Sequence, residues 1–185
     1  MLSEQQLETL RERARLRPWH EITTEELAQA VGVSRMTLHR QGTSKDAALA
    51  QLRELLVAEH RTAALSALSA TGSARERMRR ALHGVCEVDE RYLVMIDSLA
   101  EDLAGVFHEQ GDGPVMTRNE FTDALRRILE DGRADGTLRS SDPEEDATLL
   151  FNAAGWTYRH LRLGHRWSAE HASERVTELL LHGVA

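Results

Sequence analysis

From Ser44 to Ala70 neither glycine nor proline interrupts the chain, so one helix about 40 Å long fits this stretch at 1.5 Å per residue. The rest of the sequence is consistent with that helix. Only three prolines occur, Pro18, Pro114 and Pro143, and β-branched runs are nearly absent. Aromatic residues make up 4% of the 185 residues, and strong helix formers dominate the remainder. Apolar residues reach 41%, enough to build a full core. The expected fold is all-α, with about nine helices.

Start and stop signals divide the chain. A first helix is expected over about Ser3 to Leu16, ended by Pro18. A second, about Glu25 to Val31, takes Thr24 as its N-cap and stops at Gly32. Ser34 caps a third, about Arg35 to Gln41, which Gly42 closes. The long fourth helix follows. After Thr71-Gly72, a fifth runs from Ser73 to about Glu87. A sixth is expected over about Glu90 to His108, ending in a glycine-rich turn from Gly111 to Pro114, and a seventh over about Met116 to Ala134. Asp142-Pro143-Glu144-Glu145 places a cap, an N1 proline and acids at the positive end of an eighth, reaching about Gly164. Ser168 caps the last, which ends near His182. The expected domains are residues 1–46 and 47–185.

Charge is unevenly shared. Residues 1–50 carry as many basic as acidic groups, so the net charge of −7 belongs to the remainder. Arg11, Arg13, Arg15 and Arg17 crowd one short stretch. Arg35, Arg40 and Lys45 follow, and no acid occurs from Val31 to Ser44. Local positive potential, not the chain's total, governs phosphate contact.

The stretch from Thr24 to Thr43 reads as two short helices crossing at a tight turn. Leu27, Val31, Val33 and Leu38 supply apolar contacts, Ala28 is small where the helices approach, and Gly32 suits a left-handed turn. With Leu38 pointing inward, Arg35, Met36, His39 and Arg40 point outward. Arg35 matches the acceptor pair of guanine and Met36 the methyl of thymine, while Thr37, His39, Arg40 and Lys45 suit phosphate oxygens. Thr24, Ser34 and Gln41 complete the expected DNA-binding set.

The segment from Ile22 to Leu49 resembles the TetR family of regulators, matching its usual pattern at Ala28, Gly32, Val33, Ser34, Thr37, Leu38, Ser44, Lys45 and Leu49. It departs where the family has a tyrosine, a histidine and a phenylalanine: these are His39, Gln41 and Gly42 here. The resemblance implies a three-helix DNA-binding head, a linking helix, and a helical body that dimerises and binds an effector. The expected function is a dimeric repressor released from double-stranded operator DNA by a small molecule. The alternative is a helical small-molecule-binding or partner-sequestering protein whose head no longer grips DNA.

In the body, the helix after Pro143 is apolar on nearly every side, and the last helix carries Ala172, Val176, Leu179 and Leu180. The helices near 143–164 and 168–182 are therefore the expected homodimer interface. Met95, Phe107, Phe121, Phe151, Trp156 and Tyr158 are the candidate pocket residues, with His83 and Cys86 as further possibilities. Neither a His-Glu-x-x-His nor a Glu-x-x-His pair is present, so no metal is expected. Neither a nucleophile elbow nor a phosphate-binding glycine loop occurs, so no enzyme activity and no cofactor are expected. With no signal-peptide core and no apolar run of membrane length, the expected location is cytoplasmic.

Overall fold

The computed structural model describes residues 1–99, 107 and 117–184, and among them the chain forms nine α-helices and no strand. In order these are α1 (Glu4–Leu16), α2 (Thr24–Ala30), α3 (Arg35–Arg40), α4 (Lys45–Ser69), α5 (Ala74–Arg91), α6 (Leu93–Ser98), α7 (Asn119–Asp135), α8 (Pro143–Leu163) and α9 (Ala169–Gly183). A 3₁₀ turn, Trp19–Glu21, follows α1. Among the described residues, no helix is long and apolar enough to cross a membrane.

Local chemistry sets most helix starts. Ser3 with Gln6, Thr23 with Glu26 and Ser73 with Glu76 each exchange the two hydrogen bonds of a capping box. Asp142 accepts from the backbone N–H groups of Glu144 and Glu145, with Pro143 in the first turn of α8. Ser34, Ser44 and Ser168 cap α3, α4 and α9.

Three boundaries differ from the sequence expectation. Thr23, not Thr24, is the N-cap of α2, because only Thr23 stands three residues before Glu26 and can complete the box. Helix α5 continues past Glu87 to Arg91, and the chain leaves helical geometry at Tyr92 (φ −116°, ψ 12°). Helix α6 then ends at Ser98. The expected extension of the sixth helix to His108, the turn at Gly111–Pro114 and a start at Met116 lie outside the described residues.

The chain divides into two compact units, the first comprising Met1–Ala58 and Arg91–Val106, the second Glu59–Glu90 and Phe107–Ala185. In the first, α1 packs on α6 and α2, and α2 on α3. Leu10, Ala14, Trp19, Ile22, Leu27, Leu38, Leu52 and Leu56 are buried there. In the second, α8 packs on both α7 and α9. A small buried cluster joins Cys86 of α5, Tyr158 of α8 and Ala172 of α9, with Leu161 and Trp167 against it.

Candidate nucleic-acid interface

The α2–α3 corner is built by backbone hydrogen bonds that its two glycines permit. Gly32 has φ +73° and donates to the carbonyl of Gln29, while the N–H of Val33 reaches back to Ala28 at 2.9 Å. This is a Schellman closure of α2, which needs a left-handed residue where Gly32 stands. The same closure recurs after α3: Gly42 has φ +67°, its N–H meets His39, and Thr43 meets Leu38. Helix α3 therefore begins and ends on fixed turns.

Side chains lock the same corner. The Ser34 hydroxyl accepts from the Thr37 N–H at 3.1 Å and lies 2.9 Å from the Thr37 hydroxyl. Gln6 of α1 accepts from the Ser3 N–H and donates its amide to the carbonyl of Val31 at 2.6 Å. Leu27, Ala28, Val31 and Leu38 are buried, and Val33 is half-buried. The Thr23 N–H and hydroxyl, with Arg17 beside them, hold the Glu26 carboxyl below its ordinary range despite some desolvation.

The outward face of α3 carries Arg35, Met36, His39 and Arg40, all exposed, with Thr37 half-buried and Gln41 exposed at the C-cap. Met36 is 82% exposed. Thr24 is exposed in the first turn of α2. Lys45 is half-buried: its ammonium donates to the His20 carbonyl at 3.1 Å and lies 5.7 Å from the Trp19 ring centroid. Buried Trp19 thus supplies an aromatic core for the head, which Gly42 does not.

The arginines of α1 do not add to this positive face as their number suggests. Arg11 pairs with Glu8, and Arg17 with Glu26 at 2.6 Å and Glu21 at 3.6 Å. Arg15 lies 4.0 Å from Glu12. On α3, by contrast, Arg35 and Arg40 form no ion pair among the described residues.

The candidate pocket residues separate into several environments. Phe107, Phe121 and Phe151 come together, their ring centroids 5.2 to 6.1 Å apart. Met95 is fully buried in the first compact unit. Tyr158 is buried with Cys86 and donates its hydroxyl to Glu90 at 2.8 Å. Trp156 is 59% exposed, with the Arg159 guanidinium 4.9 Å from its ring centroid. His83 lies between α5 and α9, its Nδ1 2.8 Å from the Ser173 hydroxyl.

Sequence reading missed a buried polar group beside the phenylalanines. The His60 ring meets Phe107, Phe121 and Phe151 edge-on at 6.3, 5.7 and 5.5 Å. Its Nε2 lies 3.3 Å from Asp89 Oδ1, and Arg159 donates to Asp89 Oδ2. Next to Asp89, Glu90 receives both Nε and Nη2 of Arg162 at 2.8 Å, so adjacent acids of α5 each hold an arginine of α8. Gly155 leaves the first pair its space, since a Cβ there would stand 2.9 Å from Asp89 Oδ2 and 3.0 Å from Arg159 Nη1.

His160 and His165 stack edge-on at 5.1 Å, and Trp167 lies 4.6 Å from His171. Among the described residues, no three His, Cys, Asp or Glu side chains converge as metal ligands would.

Comparison with known proteins agrees with the geometry. Residues 71–184 match the family model described as tetracyclin repressor-like, C-terminal domain. No curated protein matches the chain. A transcriptional regulator of the TetR/AcrR family from Thermobifida fusca superposes with a TM-score of 0.71 at 23% identity, over 97% of this chain and 96% of that one. The TetR family transcriptional regulator PfmR from Thermus thermophilus gives 0.70 at 19% identity, over 97% and 98%. FadR from Bacillus subtilis, solved in complex with stearoyl-CoA, gives 0.71 at 14% identity, over 98% of each chain. With a family model spanning more than half of its length, the chain belongs to the TetR family of helix-turn-helix transcriptional regulators.

Proposed function

We propose that this regulator is a cytoplasmic homodimeric repressor that grips operator DNA with α3 and lets go when a small molecule binds its body. Residues 1–46 serve as the DNA-binding head and 47–185 as the effector-binding and dimerisation body. The observation that carries the reading is the outward set Arg35, Met36, His39 and Arg40 on a helix capped by Ser34 and closed by Gly42. Arg35 meets a guanine edge and Met36 a thymine methyl, while Thr37, His39 and Arg40 reach phosphates. Lys45 keeps part of its ammonium free for a phosphate while bound to the His20 carbonyl.

Dimerisation is supported by exposed apolar residues. Leu149, Trp156 and Leu163 recur every seven residues along α8, at 64%, 59% and 38% exposure, and Leu179 of α9 is 71% exposed. Such a heptad stripe calls for a partner helix, and a second copy supplies one by two-fold symmetry. The effector reading is supported by the phenylalanine cluster with His60 at its edge. Fluorescence anisotropy with duplexes tiled across the DNA upstream of the coding sequence tests the proposal. One duplex should bind at least tenfold more tightly than scrambled DNA at matched salt; equal binding to all duplexes would contradict it.

A further inference from the structure

We infer that the effector is a neutral, largely apolar molecule whose one acceptor oxygen takes the Nε2–H of His60. The inference rests on the effector reading above and adds the chemistry of the ligand's head.

His60 and Asp89 are buried to the same degree, with 2% of each side chain exposed. Against the His60 ring lie three phenyl rings and the Asp89 carboxylate, which also holds the Arg159 guanidinium. The carboxylate and the guanidinium already form a pair, Asp89 with Arg159. With the His60 ring neutral, an ionised ligand head would bring a third charge into this setting, and isolated buried charge is strongly disfavoured. A neutral head adds none.

One polar capacity is left over. His60 Nε2 is buried, and although Asp89 Oδ1 lies 3.3 Å away, the pair makes no aligned hydrogen bond. In the tautomer that carries its proton on Nε2, His60 presents an N–H that this geometry leaves without an aligned acceptor. The N–H therefore needs an acceptor, and a ligand carbonyl oxygen fits. A buried donor left without a partner also discriminates, since a ligand lacking the oxygen leaves it unsatisfied.

The phenyl rings account for the rest of the ligand. Phe121 and Phe151 are 1% and 6% exposed, whereas Phe107 is half-buried. Of the three rings Phe107 is the least buried, and the apolar body of the ligand packs against it. Gly155 keeps Asp89 and Arg159 paired while this happens, by leaving space that any side chain would fill.

The test is calorimetric titration of the full-length protein with four probes of equal chain length: 2-nonanone, nonane, nonanoate and nonylamine. The ketone should bind wild type about tenfold more tightly than the other three, the scale of one satisfied buried hydrogen bond. His60→Phe should bind ketone and nonane about equally, while His60→Gln, which keeps an N–H, should retain most of the preference. Circular dichroism establishes that each variant is folded. Tighter binding of nonanoate or nonylamine overturns the inference and leaves the effector reading intact, as does a ketone preference that survives in folded His60→Phe. Binding of none of the four overturns both.

Discussion

The side-chain amide of Gln6 donates to the carbonyl of Val31 at 2.6 Å, tying α1 to the residue that closes α2. The same side chain accepts from the Ser3 N–H, so one residue caps its own helix and fastens the next. Gln6→Ala removes both bonds and should cost about 1–2 kcal/mol of head stability. Gln6→Glu keeps the acceptor and loses the donor, setting a carboxylate against a carbonyl. Hydrogen exchange at the Val31 and Gly32 amides should therefore speed up in both variants. Unchanged protection in Gln6→Glu would show that the tie contributes nothing.

A second prediction concerns alkaline pH. Burial pushes the Cys86 thiol up to about 12, and burial with the Glu90 hydrogen bond also raises the Tyr158 hydroxyl. The folded state thus holds these protons more tightly than the unfolded chain, whose thiol titrates near about 8.5. The resulting stability is fully present below that value and is lost as pH rises toward 12, at up to about 1.4 kcal/mol per pH unit for the thiol. Thermal melts from about pH 7.5 to 10.5 should show a steeper loss for wild type than for Cys86→Ala. Identical pH dependence would contradict the assignment. Native Cys86 should also resist maleimide at about pH 8 and react once unfolded.

The third prediction separates the two apolar faces of α8 and α9. Leu149→Asp and Trp156→Asp alter exposed residues, so the monomer should stay folded while the dimer dissociates. Sedimentation should then give a single species of 20.8 kDa in place of one twice that mass. Leu181→Asp, at a fully buried position, should instead unfold the body. A Leu149→Asp protein that still sediments as a dimer would place the interface elsewhere.

Much of the fold was legible because helix ends are written locally. Asp142-Pro143-Glu144-Glu145, Ser168 and the two glycines flanking α3 act within a few residues of themselves. Thr23 was equally legible through its Thr-x-x-Glu spacing to Glu26, which settles the choice between two neighbouring threonines. The break at Tyr92 was not, since no glycine or proline marks it and the chain there simply turns to bury Tyr92 and Leu93. The last helix also turns a different face inward: Ala172, Val176, Thr177 and Leu181 are buried, leaving Leu179 outside. Arg17, at the C-cap of α1, looked like part of a cationic patch because its acidic partners, Glu21 and Glu26, lie beyond a turn. Nothing local connects His60, Asp89 and Arg159; only the packing of α4, α5 and α8 brings them together.

The most direct measurement of the central claim is DNA affinity across a salt series for wild type, Arg35→Ala and Arg40→Ala, on the tightest-binding upstream duplex. Arg35→Ala should lose about 1–3 kcal/mol on that site and relax preference at one base pair. Arg40→Ala should weaken all sequences alike and reduce the slope of log K against log salt by about one unit. Both variants alter exposed side chains, so their melting curves should match wild type. Unchanged affinity and slope in both would contradict the assignment of α3 as the DNA-reading helix.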